Sequence, residues 1–258
     1  MSTTMQSSAD SVHRGVPPLR AGQGNSFFWR RLHSLTGIVP VGLFLIEHFI
    51  SNSEAINGAA AYNETVRFLT SLPFRIWLEF IGIFIPLAYH AVYGIYIWWR
   101  GEGNVSDYGW AGNWGYTLQR WTGIVVFAYV IYHLATLRFE GLDFMGRMAA
   151  DPNTAFVTVQ KQLASPLAIV FYLAGIVCAA WHFGYGLFLF AAKWGIVTGT
   201  KARKRMQWIG VGVSVLLIVL GLVSEFAFVS ANHSNPQQSR MERMEQSRPI
   251  AQPAQATR

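Results

Sequence analysis

Two stretches with the same wording decide how the chain is read: Tyr89-His90-Ala91-Val92-Tyr93-Gly94 and Trp181-His182-Phe183-Gly184-Tyr185-Gly186. Each runs aromatic, His, two residues, Tyr, Gly, and each lies deep in an apolar run. An imidazole in hydrocarbon is costly unless something binds it, so a histidine there points to function. Two of them in the same local wrapping suggest a repeated unit with a shared ligand.

The surroundings fit that setting. The 258 residues are 52% hydrophobic and 15% aromatic, with 13% charged, where a soluble domain carries about a quarter charged. The charges collect between long apolar runs, the pattern of a polytopic membrane protein in a lipid bilayer. The net charge of +7 does not indicate nucleic acid, because the basic residues flank apolar runs rather than forming one patch. The single Cys178 excludes an intramolecular disulfide and any all-Cys iron–sulfur or zinc site in this chain. Residues 1–24 lack the apolar core of a signal peptide, so the first span is expected to stay in place as a start-transfer helix.

The expected fold is all-α and integral to the membrane. Five transmembrane helices are expected near residues 28–51, 74–99, 120–137, 166–192 and 207–229. Each is long enough to cross a core of about 30 Å at 1.5 Å per residue. Residues 1–25 and 230–258 read as disordered tails around a five-helix domain, 26–229. The polar loop 52–73 carries a short amphipathic helix near 59–69, and the loop 138–164 has room for another. Residues 101–119 and 198–205 read as loops. Arg30, Arg31, Arg100, Arg120, Lys193, Lys201, Arg203, Lys204 and Arg205 fall on one side, with Arg14 and Arg20 of the tail. Arg67, Arg75, Arg138, Arg147 and Lys161 fall on the other. The bias places the N-terminus in the cytoplasm and the C-terminus outside.

An internal repeat organises the first four spans. Span one opens Arg31-Leu32-His33-Ser34-Leu35-Thr36-Gly37 and reaches His48; span three opens Gln119-Arg120-Trp121-Thr122-Gly123 and reaches His133. Spans two and four carry the His-x-x-x-Gly motif. The first four spans are therefore expected to form a four-helix bundle made from a duplicated helix pair, with a fifth helix added.

Depth sorts the histidines. His90 stands about 15 Å from Arg100, and His182 about 16 Å from Lys193, by helical rise. His133 lies about 20 Å past Arg120 and His48 about 25 Å past Arg31. That gives an inner pair, His90/His182, and an outer pair, His48/His133. Two histidines at one depth on facing helices, with glycines beside them, suit the axial ligation of a haem iron. Gly94, Gly184 and Gly186 give room at the inner pair; Gly37, Gly42 and Gly123 line spans one and three. A site holding another metal is the weaker reading, because carboxylate and Cys partners do not accompany these histidines. Trp98, Trp99, Trp114 and Trp194 read as interface-belt residues, and Gly82 with Pro86 as a kink.

Three further residues carry two readings each. His33, on the same helix face as His48 and about 22 Å away, faces the bundle beside Arg31; the pair contacts a haem propionate or a quinone, or His33 is an interfacial residue with no special task. Glu79, with Glu47 the most anomalous carboxylate in a span, is a proton relay near a quinone or an ion-pair partner of Arg75.

The stretch from Phe28-Trp29-Arg30-Arg31-Leu32-His33-Ser34-Leu35-Thr36-Gly37 through Glu47-His48, together with Ser71-Leu72-Pro73-Phe74-Arg75, residues 86–94 and Lys193-Trp194-Gly195-Ile196, resembles the cytochrome b558 subunits of succinate dehydrogenase. The resemblance covers about residues 26–229. It implies a five-helix anchor with two b-type haems, docked on its cytoplasmic face to a flavoprotein and an iron–sulfur subunit. It implies that His48, His90, His133 and His182 are the ligands, in the same two pairs. It further implies that succinate is oxidised on the partner and that menaquinone is reduced on this chain near the outer haem. Related fumarate reductase anchors carry a Glu two residues before the fourth ligand; Ala180 stands there here, and its methyl group cannot carry a proton. The rival readings are an anchor of a fumarate reductase or another membrane dehydrogenase, and a haem-free membrane scaffold or transporter.

Overall fold

A computed structural model describes residues 23–101, 105–107, 109–139 and 151–233, and among these every regular element is helical. The tails 1–22 and 234–258, and Arg147 with its neighbours, lie outside the described residues. Span one is α1 (Gln23–Ile38) followed by α2 (Pro40–Ser53). The break falls where Pro40 lacks the amide that a continuous helix needs. The amphipathic α3 (Ala59–Thr70) follows. Phe74, at φ 56°, takes the left-handed conformation that turns the chain back into span two.

Span two comprises α4 (Arg75–Trp77), a π-helical stretch Leu78–Phe84 and α5 (Ile85–Arg100). The widened stretch holds Gly82 and ends just before Pro86, so the irregularity expected there takes the form of π-helix. Span three is α6 (Ala111–His133), continued as π-helix over Leu134–Arg138. Then come the short α7 (Ala155–Gln162), α8 (Pro166–Lys193) as span four, and α9 (Thr200–His233) as span five. Five helices of 26 to 32 residues, among the described residues, are long and apolar enough to cross a bilayer.

Two expected loops are partly helical. Residues 111–119 belong to α6, which puts Arg120 nine positions inside its helix. Its guanidinium turns back to the carbonyls of Trp98 and Gly101 and satisfies the C-terminal end of α5. Residues 200–205 form the first turns of α9. Lys, Arg and Ala are good helix formers, and nothing in that basic run stops a helix.

The helices meet where side chains are small. A Cβ on Gly210 would collide with the carbonyl of Gly184, and one on Gly184 with Ser214, so α8 and α9 touch backbone to backbone. Without a hydrophobic force between spans, such close approach is what holds them together in lipid. Phe49, Ile176, Ala180, Phe183 and Leu217 fill the centre. At the end opposite the Arg120 cap, Tyr62, Phe156, Tyr172 and Phe228 form an aromatic plug beneath α3 and α7. Asn63 and Arg67 of α3 donate to Asn153, which precedes α7, and this ties the two short helices together.

Candidate functional site

The four core histidines meet in two pairs. The rings of His90 and His182 lie 6.1 Å apart between centroids and cross at 87°. Those of His48 and His133 lie 5.7 Å apart and cross at 84°. An imidazole nitrogen sits about 2.0–2.1 Å from a transition metal, so two rings bound trans to one ion have centroids roughly 6 Å apart. Both pairs meet that distance. Among the described residues no third His, Cys, Asp or Glu joins either pair to make a metal-binding group. Two ligands leave most of a metal's coordination sphere open, and a macrocycle with its own nitrogens is the group that completes it. The donor set therefore fits a haem.

The inner pair, nearer the Arg100 and Lys193 ends, is oriented by the repeat. His90 Nδ1 donates to the carbonyl of His33 at 2.9 Å, and His182 Nδ1 to the carbonyl of Gln119 at 3.1 Å. Those carbonyls belong to residues four before Gly37 and four before Gly123. A Cβ on Gly37 would collide with Cε1 of His90; one on Gly123 would stand 2.9 Å from Cε1 of His182. Each glycine thus lets a ring lie flat against the neighbouring helix and reach the same carbonyl. Donation from Nδ1 leaves Nε2 of both rings free for a metal.

His33 adds a contact that spacing along its own helix could not show. Its ring stacks on His90 at 4.1 Å and 9°. Gly94, of the His-x-x-x-Gly motif, makes room for it. Arg31 lies between Phe27 and Trp194 and donates to the Lys193 carbonyl at 3.3 Å. Trp194 donates to Ser34 at 3.2 Å, which makes it a strut between spans one and four as well as an interface residue.

At the outer pair, His133 contacts Tyr129 and Tyr172 at 5.6 and 5.9 Å between ring centroids. Asn52 donates to the His48 carbonyl at 2.7 Å, and Tyr62 to Asn52 at 3.4 Å. Tyr62, on α3, is held to a pKa pushed up to about 12 by burial, then by the nearby Tyr172. Glu79 is gripped from two helices: Arg138 at 2.6 Å and Arg75 at 3.6 Å. The Arg75 contact was expected; the shorter Arg138 contact crosses from span three. Glu47 is exposed on the outside of its helix.

Sequence reading passed over two residues that the structure brings forward. Gln119 serves His182 twice, since its side chain also donates to the His182 carbonyl at 3.0 Å. The signal was present: Gln119 occupies in the second repeat the place that His33 holds in the first. Glu225 is a carboxylate inside span five, only 5% exposed, and a lone acid in an apolar run is itself a signal.

Among curated proteins, the chain is 40% identical over 203 residues to the succinate dehydrogenase cytochrome b558 subunit of Bacillus subtilis (strain 168). The match takes in 79% of this chain and 97% of that subunit. The chain belongs to the succinate dehydrogenase cytochrome b558 family. No protein-family model matches it.

Proposed function

We propose that this chain is the membrane anchor of a succinate dehydrogenase and conducts electrons from its basic end to quinone near its far end. The observation that carries the reading is the pair of crossed imidazole couples, 6.1 and 5.7 Å between centroids, in one bundle. In this reading His90/His182 and His48/His133 each hold one b-type haem, which when bound supplies one-electron transfer. Gly37 abuts His90 and stands eleven residues before His48, so the two sites are about 16 Å apart along the helix.

The chain's own residues position these centres and keep them dry. The His33 and Gln119 carbonyls fix the inner rings, and the aromatic plug of Tyr62, Phe156 and Phe228 closes the outer end. His33 lies against the inner pair and Arg31 at the Lys193 end; in this reading they contact a haem propionate, and a quinone contact is the alternative. The basic end faces the cytoplasm by the positive-inside rule, with the C-terminus outside, and receives the flavoprotein and iron–sulfur subunits, on which succinate is oxidised. Menaquinone is reduced near the outer pair, and Glu79 supplies protons there or braces spans two and three.

A reduced-minus-oxidised spectrum of the protein purified from native membranes, with a haem-to-protein ratio, tests the reading. Two b haems per chain are expected, falling to one in His133→Ala. A chain without b haem would overturn the reading. Glu79→Gln with intact haems and unchanged quinone reduction would leave Glu79 as a brace alone.

A further inference from the structure

Glu225 is the buried carboxylate that this reading leaves without a task. It sits on the face of α9 that packs on α8, one turn beyond Gly221, whose missing side chain lets Ile176 and Phe49 close in. Both its oxygens are buried and neither has a hydrogen-bond partner. Glu79 has two guanidiniums, and Glu47 is exposed. A carboxylate that is buried and unpaired is costly in its charged form, and costly again if its proton has nowhere to bond.

Its surroundings point towards the outer histidine pair. One turn further along α9, Phe228 packs in one cluster with Tyr172, and Tyr129 packs against that cluster. The rings of Tyr129 and Tyr172 touch each other at 5.4 Å, and both touch His133. Tyrosine thus stands between this stretch of α9 and the outer site. From the elements packed against α9, α8 brings Tyr172, with Tyr129 of α6 beside it. Glu47 and His48 lie on α2, Glu54 follows it, Tyr62 is on α3 and Lys161 on α7.

We infer that Glu225 is the proton acceptor coupled to electron arrival at the outer histidine site. With a haem held there and one electron arriving from the iron–sulfur side, the Glu225 carboxylate would take one proton from the aqueous phase outside the bundle, and an O–H bond would form. When the electron leaves for quinone, that bond breaks and the proton departs. The driving force is electrostatic. The ferric iron–porphyrin core of a bis-imidazole haem held there would carry one positive charge, which would attract the carboxylate across the low-dielectric tyrosine layer, and reduction would remove it. Electron and proton binding are then linked, each favouring the other to the same degree.

The inference rests on the haem reading above, and the experiment separates the two. The complex from native membranes is titrated spectroelectrochemically at several pH values, as wild type, Glu225→Gln and Glu225→Asp. The outer haem is identified as the one lost in His133→Ala. In the wild type its midpoint potential should fall with rising pH, by up to about 59 mV per tenfold change in proton activity for one electron and one proton. Glu225→Gln should flatten that slope while haem content stays the same, and Glu225→Asp should keep it. A slope unchanged in Glu225→Gln, or absent in the wild type, overturns the inference and leaves the haem reading intact. Absence of two b haems in the wild type overturns both. If Glu225→Gln does not retain the outer haem, the infrared redox difference spectrum of the wild type decides. A protonated-carboxyl band that appears on reduction and shifts in D2O supports the inference, and its absence overturns it.

Discussion

Replacing Gly123 with Ala should cost the protein its inner haem while sparing the outer one. The added Cβ would stand 2.9 Å from Cε1 of His182, where ordinary contact begins near 3.4 Å. The ring must therefore retreat by about 0.5 Å, against a tolerance of roughly 0.2 Å in a metal–ligand distance. Retreat also stretches the Nδ1 bond to the Gln119 carbonyl, from 3.1 Å towards about 3.6 Å, where it no longer counts as a hydrogen bond. It pushes the ring at His90, which stands on the other side at 6.1 Å. Overpacking of this kind costs about 1–3 kcal/mol. Loss of the group that orients a ligating histidine weakens metal affinity by roughly 10–100-fold. The helix itself does not suffer, since Ala is the better helix former by about 1 kcal/mol. The assay is haem content per chain together with the midpoint potential of each b haem. Gly212→Ala is the control, because nothing lies within 4 Å of its Cβ position. If Gly123→Ala keeps both haems with an unaltered inner potential, the docking of His182 against a bare helix backbone is not what holds that site.

Gly210→Val should loosen span five, because its Cβ meets the Gly184 carbonyl, which is backbone and cannot swing aside; the expected result is a lower melting temperature in detergent and poorer recovery, and an unchanged melt would refute it. Tyr62 sets an alkaline limit. Burial favours its neutral form, so its contribution is fully present below the ordinary tyrosine value near 10 and is lost as pH rises to about 12. A Tyr62→Phe chain should lose less stability across that window than the wild type, and equal losses in a pH series of melts would count against the assignment.

Much of the fold was legible because lipid leaves a chain few choices. Every backbone group must be paired within its own segment, so a long apolar run has to be a helix. The spans, both short helices, and the two histidine pairs could be read from run lengths, spacing and the repeat. The starts of α6 and α9 could not. Residues 111–119 are polar and glycine-rich, yet they are helical and packed, with Gly115 set against Tyr185. The depth estimate for the outer pair suffered for the same reason. Arg120 marks the end of α5, which it caps from within α6, and not the start of its own span.

What the sequence determined by itself was the class of protein, the number of spans, and the imidazoles available to bind a metal. These follow from composition and from periodicity along single helices. The tertiary structure decided which side chain faces which. It laid His33 on His90, gave Glu79 to Arg138, and buried Glu225 one turn from the Phe228 that packs with Tyr172 beside His133. Each of those contacts joins two helices, and their mutual rotation is set by the packing between them. No window along a single helix contains that information, and only the assembled bundle does.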